Sequence, residues 1–345
     1  MVMIFIACPR VRVCPEVEIG KGLRSIDWVG AFLHMTTLVL FDAACIFSGA
    51  TLPWHSGVIA LWVLSGIVAI IYAIQQAFSL FTAPEKRILP IGVMSTRTGF
   101  LVMICSCFSC AGYSVALYYL PLFYAFTRGD DSIEIAVHML PYICVYIAAA
   151  IGSGIFLPIV RRYAVLYLLG GALILSGSAA MMSVHPTTSL KQTMGIGSII
   201  GFGVGLTMQL GASVLALALP ANIRMDSSIS MTLAIYFGTT VALALAGCIF
   251  QNIGFDFLSK AFSGSHFSPA EIRGALAGVD SPLWDRSNPK ALAAAIGAVT
   301  SAIVRIFYIP VAAGALMVIC SFLMKWEPLD FKKKKARQEE VQQAA

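Results

Sequence analysis

Hydrophobic and polar positions along this chain do not alternate with the short period of an amphipathic strand or helix. They segregate on a longer scale: eight mostly apolar stretches are parted by polar connections, and they predict helices over 28–48, 58–81, 98–126, 133–160, 163–184, 193–219, 228–253 and 305–326. A run of about 20 apolar residues crosses the hydrocarbon of a bilayer as a helix. That helix satisfies its own backbone polar groups where no water can. The predicted fold is therefore an all-α polytopic membrane protein with eight transmembrane helices.

Composition strengthens this reading. Apolar residues make up 59% of the 345 residues and charged ones 12%, against roughly a quarter charged in soluble domains; mean hydropathy is +0.85. The net charge of +6 gathers at the ends and in the connections, so it reads as membrane orientation and not as affinity for nucleic acid. Arg10, Arg12, Lys21 and Arg24 precede the first helix; Lys86, Arg87 and Arg97 follow the second, Arg161 and Arg162 the fourth, and Arg224 the sixth. The opposite connections carry fewer basic residues, which predicts a multi-pass protein of the cell membrane with both termini in the cytoplasm. Segment 1–25 is then a cytoplasmic lead-in without a cleaved signal, and 327–345, with Lys332 to Lys335, a basic cytoplasmic tail held near anionic lipid. The connection 254–304 is too long for a turn; its Ala-rich part from Lys290 to Val304 predicts a helix lying along the outer membrane surface.

The chain carries no Walker loop, H-E-x-x-H or G-x-S-x-G, and no carboxylate pair placed for hydrolysis, so no catalytic residue, cofactor or metal is predicted. Cys105, Cys107 and Cys110 lie in a membrane helix without a neighbouring His or carboxylate and read as packing residues. Gly197, Gly201 and Gly205 repeat every four residues on one helix face, either for tight packing alone or for a contact that rocks between two arrangements. Gln209, one turn on, serves a substrate or an interhelical bond. Asp42, deep in the first helix with His34 on roughly the same side, marks a proton or substrate pathway or lies near enough to the outer boundary to be wet. Glu134 and His138, at i and i+4, predict a local salt-linked cap. Tyr118, Tyr119, Phe123, Tyr124 and Phe126 crowd one helix end, as an interfacial belt or as the wall of a cavity for a flat apolar molecule, which Tyr142 and Tyr236 would join.

Six short motifs, in order, carry a resemblance: IDWVGAFLH at 26–34, ATLPWHSGVI at 50–59, YYLPLFY at 118–124, HMLPYI at 138–143, IIGFGVGLTMQLG at 199–211 and ALP at 218–220. Together they resemble the major facilitator superfamily, specifically the fungal fourteen-helix drug:proton antiporters. VRRY at 160–163 is similar to the second-half echo of the family's cytoplasmic gating loop, through Arg161 and Arg162, although the usual neighbouring Gly is missing. The resemblance implies two linker helices over 26–82 and the carboxy-terminal six-helix bundle over 98–326. It implies efflux of a hydrophobic secondary metabolite or toxin driven by the proton gradient, with bilayer, substrate and protons as partners. The amino-terminal bundle has no counterpart, so a second chain supplies the other half, or the sequence is a shortened version of a longer one. A protein that pairs with and modulates a full-length transporter is the alternative.

Overall fold

The computed structural model describes residues 26–49, 56–83, 87–220, 223, 226–263, 267–278, 284, 289–326 and 328–329. The lead-in 1–25 and most of the basic tail lie outside the described residues. Among the described residues twelve α-helices follow in order: α1 (Trp28–Phe47), α2 (Ser56–Phe78), α3 (Ile91–Met94), α4 (Arg97–Phe123), α5 (Ser132–Val160), α6 (Tyr163–Met181), α7 (Leu190–Thr207), α8 (Leu210–Ala218), α9 (Asp226–Ala261), α10 (Pro269–Ala277), α11 (Pro289–Ile306) and α12 (Tyr308–Leu323). A π-helical turn, Tyr124–Arg128, extends α4. Among the described residues eight helical stretches are long and apolar enough to cross a membrane, with α7–α8 and α11–α12 each counting as one.

Helix α4 is the most enclosed of the eight, with α9, α12, α7 and α8 against it. Close approach elsewhere depends on glycine. An alanine Cβ at Gly201 would lie 2.8 Å from the Tyr142 carbonyl oxygen, and one at Gly205 would press on the Tyr146 carbonyl and sit 2.7 Å from Ala149 Cβ. Two of the three ridge glycines thus seat α7 on α5, while Gly197 faces Leu120 of α4 at 3.2 Å. In lipid, where apolar surface gains little by leaving one apolar medium for another, such backbone proximity is a main source of helix association.

Helices α1 and α2 form a hairpin that docks through α1 onto α9. Its near end is latched by Asp27, 3% exposed, which accepts hydrogen bonds from Gly30 N (2.8 Å), Gln76 Nε2 (2.8 Å), Thr82 Oγ1 (2.6 Å) and Gln75 Nε2 (3.4 Å). Burial pushes the Asp27 carboxyl up, but these four bonds outweigh it and hold it below the ordinary carboxylate value. At the far end Trp62 Nε1 donates to Ser48 Oγ (2.9 Å) and Asn252 Nδ2 of α9 donates to the Ser48 carbonyl (2.9 Å).

Segment 254–304 departs from the sequence expectation of an outer loop with a surface helix. Helix α9 runs for 36 residues, about 54 Å at 1.5 Å per residue, against a hydrocarbon core of about 30 Å. Among the described residues, large apolar side chains are exposed on α9 at Ile229, Tyr236, Phe237 and Leu245, on α12 from Tyr308 onward, and nowhere on α11. The lipid-facing band therefore ends near Leu245 and Tyr308. The rest of α9, with α10 and α11, stands beyond it as a packed lobe on the side opposite Arg97 and Asp226. Ala295, Val299, Ala302, Ile303 and Ile306 of α11 turn inward against α9 and the π-helical turn. Thr300 and Thr127 share a buried hydrogen bond of 2.8 Å, and Trp284 packs on Phe126 at 5.1 Å. The apolar face of α11 thus meets protein, not lipid.

Candidate functional site

The chain enters α7 with good helix formers and an N-cap, Ser189, whose side chain accepts from Gln192 N. The helix does not run through. Thr207 Oγ1 donates back to the Gly203 carbonyl (3.0 Å) and is bridged to Ser109 Oγ of α4 at 2.7 Å; such back-bonding hydroxyls bend helices. The ladder breaks at Met208–Gln209 and restarts as α8 at Leu210. Beside the break, α5 and α8 diverge and leave a cleft of about 550 Å³, lined by Ala150, Ser153, Gly154, Leu157 and Pro158 on one side and by Gln209, Leu210, Ala212, Ser213, Ala216 and Leu217 on the other.

Its walls carry no charge. Ser153 donates to the Ala150 carbonyl at 2.8 Å. The exposed Gln209 caps no backbone group of α8 and makes no hydrogen bond among the described residues, so its amide offers both a donor pair and an acceptor to whatever enters. An interrupted membrane helix with a free amide at the break is the kind of place where a transported molecule finds polar contacts inside the bilayer.

The sequence candidates separate into two groups. Tyr119, Phe123 and Tyr142 are core residues, each 2% exposed or less. Tyr119 packs edge-on to Phe250 at 5.9 Å, Phe123 edge-on to Tyr124 at 5.8 Å, and Tyr142 donates to the Tyr113 carbonyl at 3.4 Å. Tyr118 and Tyr236 are exposed at 58% and 67%. Cys107 Sγ of α4 donates to the Ala234 carbonyl at 3.2 Å, and together with the Ser109–Thr207 bond this puts Gln209 and Tyr236 at nearly one depth. Tyr118, eleven residues beyond Cys107 on α4, stands about 16 Å away along the axis.

Asp42 lies on α1 with Oδ1 enclosed and without a hydrogen-bond partner among the described residues, well apart from the cleft lining. His138 does not pair with Glu134. Its Nδ1 meets Asp130 Oδ2 at 2.8 Å, while Glu134 closes a capping box with Asp131 at the start of α5, because the turn through Gly129 brings Asp130 back over the helix. Arg161 caps α5 with a left-handed φ of 57° and its carbonyl accepts from Leu329 N at 2.8 Å; both Arg161 and Arg162 are exposed. The residues that sequence reasoning missed are Ser153, Ser213 and the Ser109–Thr207 pair. No Pro marks the break they surround, and the glycines beside it, Gly205 and Gly211, are two among several in this stretch.

Among the described residues, no group of three or more His, Cys, Asp or Glu side chains could hold a metal ion. No family model matches the chain. Curated proteins do: efflux pump patC of Aspergillus clavatus is 31% identical over 305 residues, covering 88% of this chain and 55% of that protein. The chain is homologous to fungal MFS-type transporters. Efflux pump alnA of Emericella nidulans is 30% identical over 315 residues, covering 90% of this chain and 56% of its own length. MFS-type transporter pgmG of Aspergillus terreus is 30% identical over 323 residues, with 91% and 56% covered. The chain thus spans about half the length of the MFS relatives it matches.

Proposed function

We propose that this chain is the carboxy-terminal part of an MFS-type transporter of the cell membrane, moving a hydrophobic secondary metabolite or toxin outward in exchange for protons. Helices α1 and α2 are its linker, α4 to α12 its six-span bundle, and both termini are cytoplasmic. The observation that carries the reading is the uncharged cleft at the α7–α8 break, lined by Gln209, Ser153 and Ser213 among alanine, leucine and proline side chains. Such a surface suits a neutral molecule with one or two hydrogen-bonding groups and offers a charged one no counter-ion. Arg161 and Arg162 sit where a cytoplasmic gating loop would, and Gly201 and Gly205 provide the smooth face on which α5 shifts against α7. Protons use Asp42.

Alternating access in this architecture needs two bundles about one site, so a second six-helix bundle completes the walls. The test is export of a fluorescent apolar toxin from yeast lacking its own pumps. The chain alone, the chain with the amino-terminal half of an MFS relative, and that pair with Gln209→Ala are compared. Export is expected only for the pair, reduced about tenfold by the substitution, the weight of one hydrogen bond in a dry site. No export from the pair, or export indifferent to Gln209, overturns the reading. A second reading, a non-transporting chain that binds and modulates a full-length transporter, is favoured by the exposed Tyr236 and Phe237 on a spanning helix. Co-purification with such a transporter, with a changed export rate, would support it.

A further inference from the structure

We propose that the chain holds a zwitterionic phospholipid headgroup bearing a primary ammonium, in a cleft between the linker connection and the start of α9. The cleft, of about 260 Å³, is lined by Arg87, Ile88, Leu89, Pro90, Ile91, Gly92, Asp226 and Ile229. Water occupies about 30 Å³ per molecule in the liquid, so the space holds on the order of eight waters or a compact headgroup in their place. It is lined by two opposite charges that do not pair with each other. Among the described residues, Arg87 Nε is enclosed without a hydrogen-bond partner, and neither Arg87 nor Asp226 makes an ion pair or side-chain hydrogen bond. An enclosed guanidinium nitrogen without a partner is costly, and a phosphate answers it with the two-oxygen geometry that the fork prefers.

The depth of the cleft identifies the source of that phosphate. Asp226 is the first residue of α9, and Ile229, one turn on, is the first large side chain of α9 exposed to lipid, at 54%. At the same level Arg97 Nη2 donates to the Leu323 carbonyl at 2.6 Å, closing the end of α12. The two charges therefore stand where spanning surface gives way to headgroups, and the aliphatic Ile91 and Ile229 beside them suit the upper part of acyl chains. A carboxylate beside the arginine disfavours a purely anionic headgroup by repulsion. It discriminates among zwitterions as well: a primary ammonium gives it N–H donors, which a trimethylammonium lacks.

The test uses the purified chain in nanodiscs of equal parts phosphatidylethanolamine, phosphatidylcholine and phosphatidylglycerol, with the lipid that survives extraction into mild detergent quantified by mass spectrometry. Phosphatidylethanolamine is expected to be retained about five- to tenfold over the other two, the weight of one charge-assisted hydrogen bond at an exposed boundary. Arg87→Gln lowers that retention, and Asp226→Asn brings phosphatidylethanolamine to the level of phosphatidylcholine. Equal retention of the three lipids by the unaltered chain overturns the proposal without any variant. So does phosphatidylglycerol in excess, which would make the cleft an anion site, or a preference that survives Asp226→Asn in a variant eluting as the parent does.

Discussion

Replacing Gly205 by alanine puts a methyl group where α7 and α5 already touch. The added Cβ presses on the Tyr146 carbonyl oxygen and stands 2.7 Å from Ala149 Cβ and 3.1 Å from Ala150 N. Two of these three atoms are backbone, so no side-chain rotation relieves the contact and α5 must move as a body. Overpacking of this kind costs about 1–3 kcal/mol, and the rigid neighbours place Gly205→Ala at about 2–3 kcal/mol. Gly247→Ala on α9 is the control, since nothing lies within 4 Å of its Cβ, and its effect should stay within about 0.5 kcal/mol. The assay is equilibrium unfolding by SDS in mixed micelles, followed by tyrosine and tryptophan fluorescence. A membrane protein so unfolded retains much of its helix, so the difference in alanine and glycine helix propensity largely cancels and the packing contribution is isolated. Equal stability of the two variants would refute the argument that glycine at 205 serves backbone proximity.

Three further perturbations address other parts of the molecule. Thr300→Val leaves the Thr127 hydroxyl buried without its partner and should cost about 1–3 kcal/mol in the same assay, whereas Thr127→Val with Thr300→Val together should cost less than the single change, since neither hydroxyl is then orphaned. Because the Asp27 carboxyl is held below its ordinary value, near 3.9 in model peptides, the latch contributes stability that is present above that value and is lost as pH falls through the lowered one. Protease sensitivity of the α1–α2 hairpin should therefore stay flat from pH 7 to about 4 and rise below it, and Asp27→Asn should remove the dependence. Asn252→Leu deletes the bond to the Ser48 carbonyl and should loosen the hairpin from α9, read as faster labelling of the buried Cys45 of α1 with the rest of the bundle unchanged.

Spanning helices were legible in the sequence because each needs about 20 apolar residues whatever its neighbours are. Which side of a helix faces lipid was not, because lipid and protein core are both apolar and the periodic contrast that marks a soluble helix fades. Tyr118 and Tyr119 show the difficulty: adjacent residues of one type, 58% and 2% exposed, that the sequence grouped as one aromatic cluster. The same ambiguity made the apolar face of α11 read as lying on the membrane. Of the candidate site, Gln209 was legible as a lone amide in an apolar helix. The break that frees it was not, since Thr207 beside it is held by a tertiary bond to Ser109, a pairing that local sequence does not encode. Spacing suggested Glu134 for His138, but the turn at Gly129, with φ of 71°, delivers Asp130 instead.

Helix α9 passes from lipid into the far lobe without interruption, and α11 joins α12 with only Phe307 between them. About 24 Å of α9 overhangs the hydrocarbon, which makes the lobe a rigid arm whose root is in the bilayer. A tilt of about 10° would carry its tip roughly 4 Å over that overhang. A probe attached to an exposed residue of α10 would thus register, in water, a tilt of the helix that takes place within the membrane.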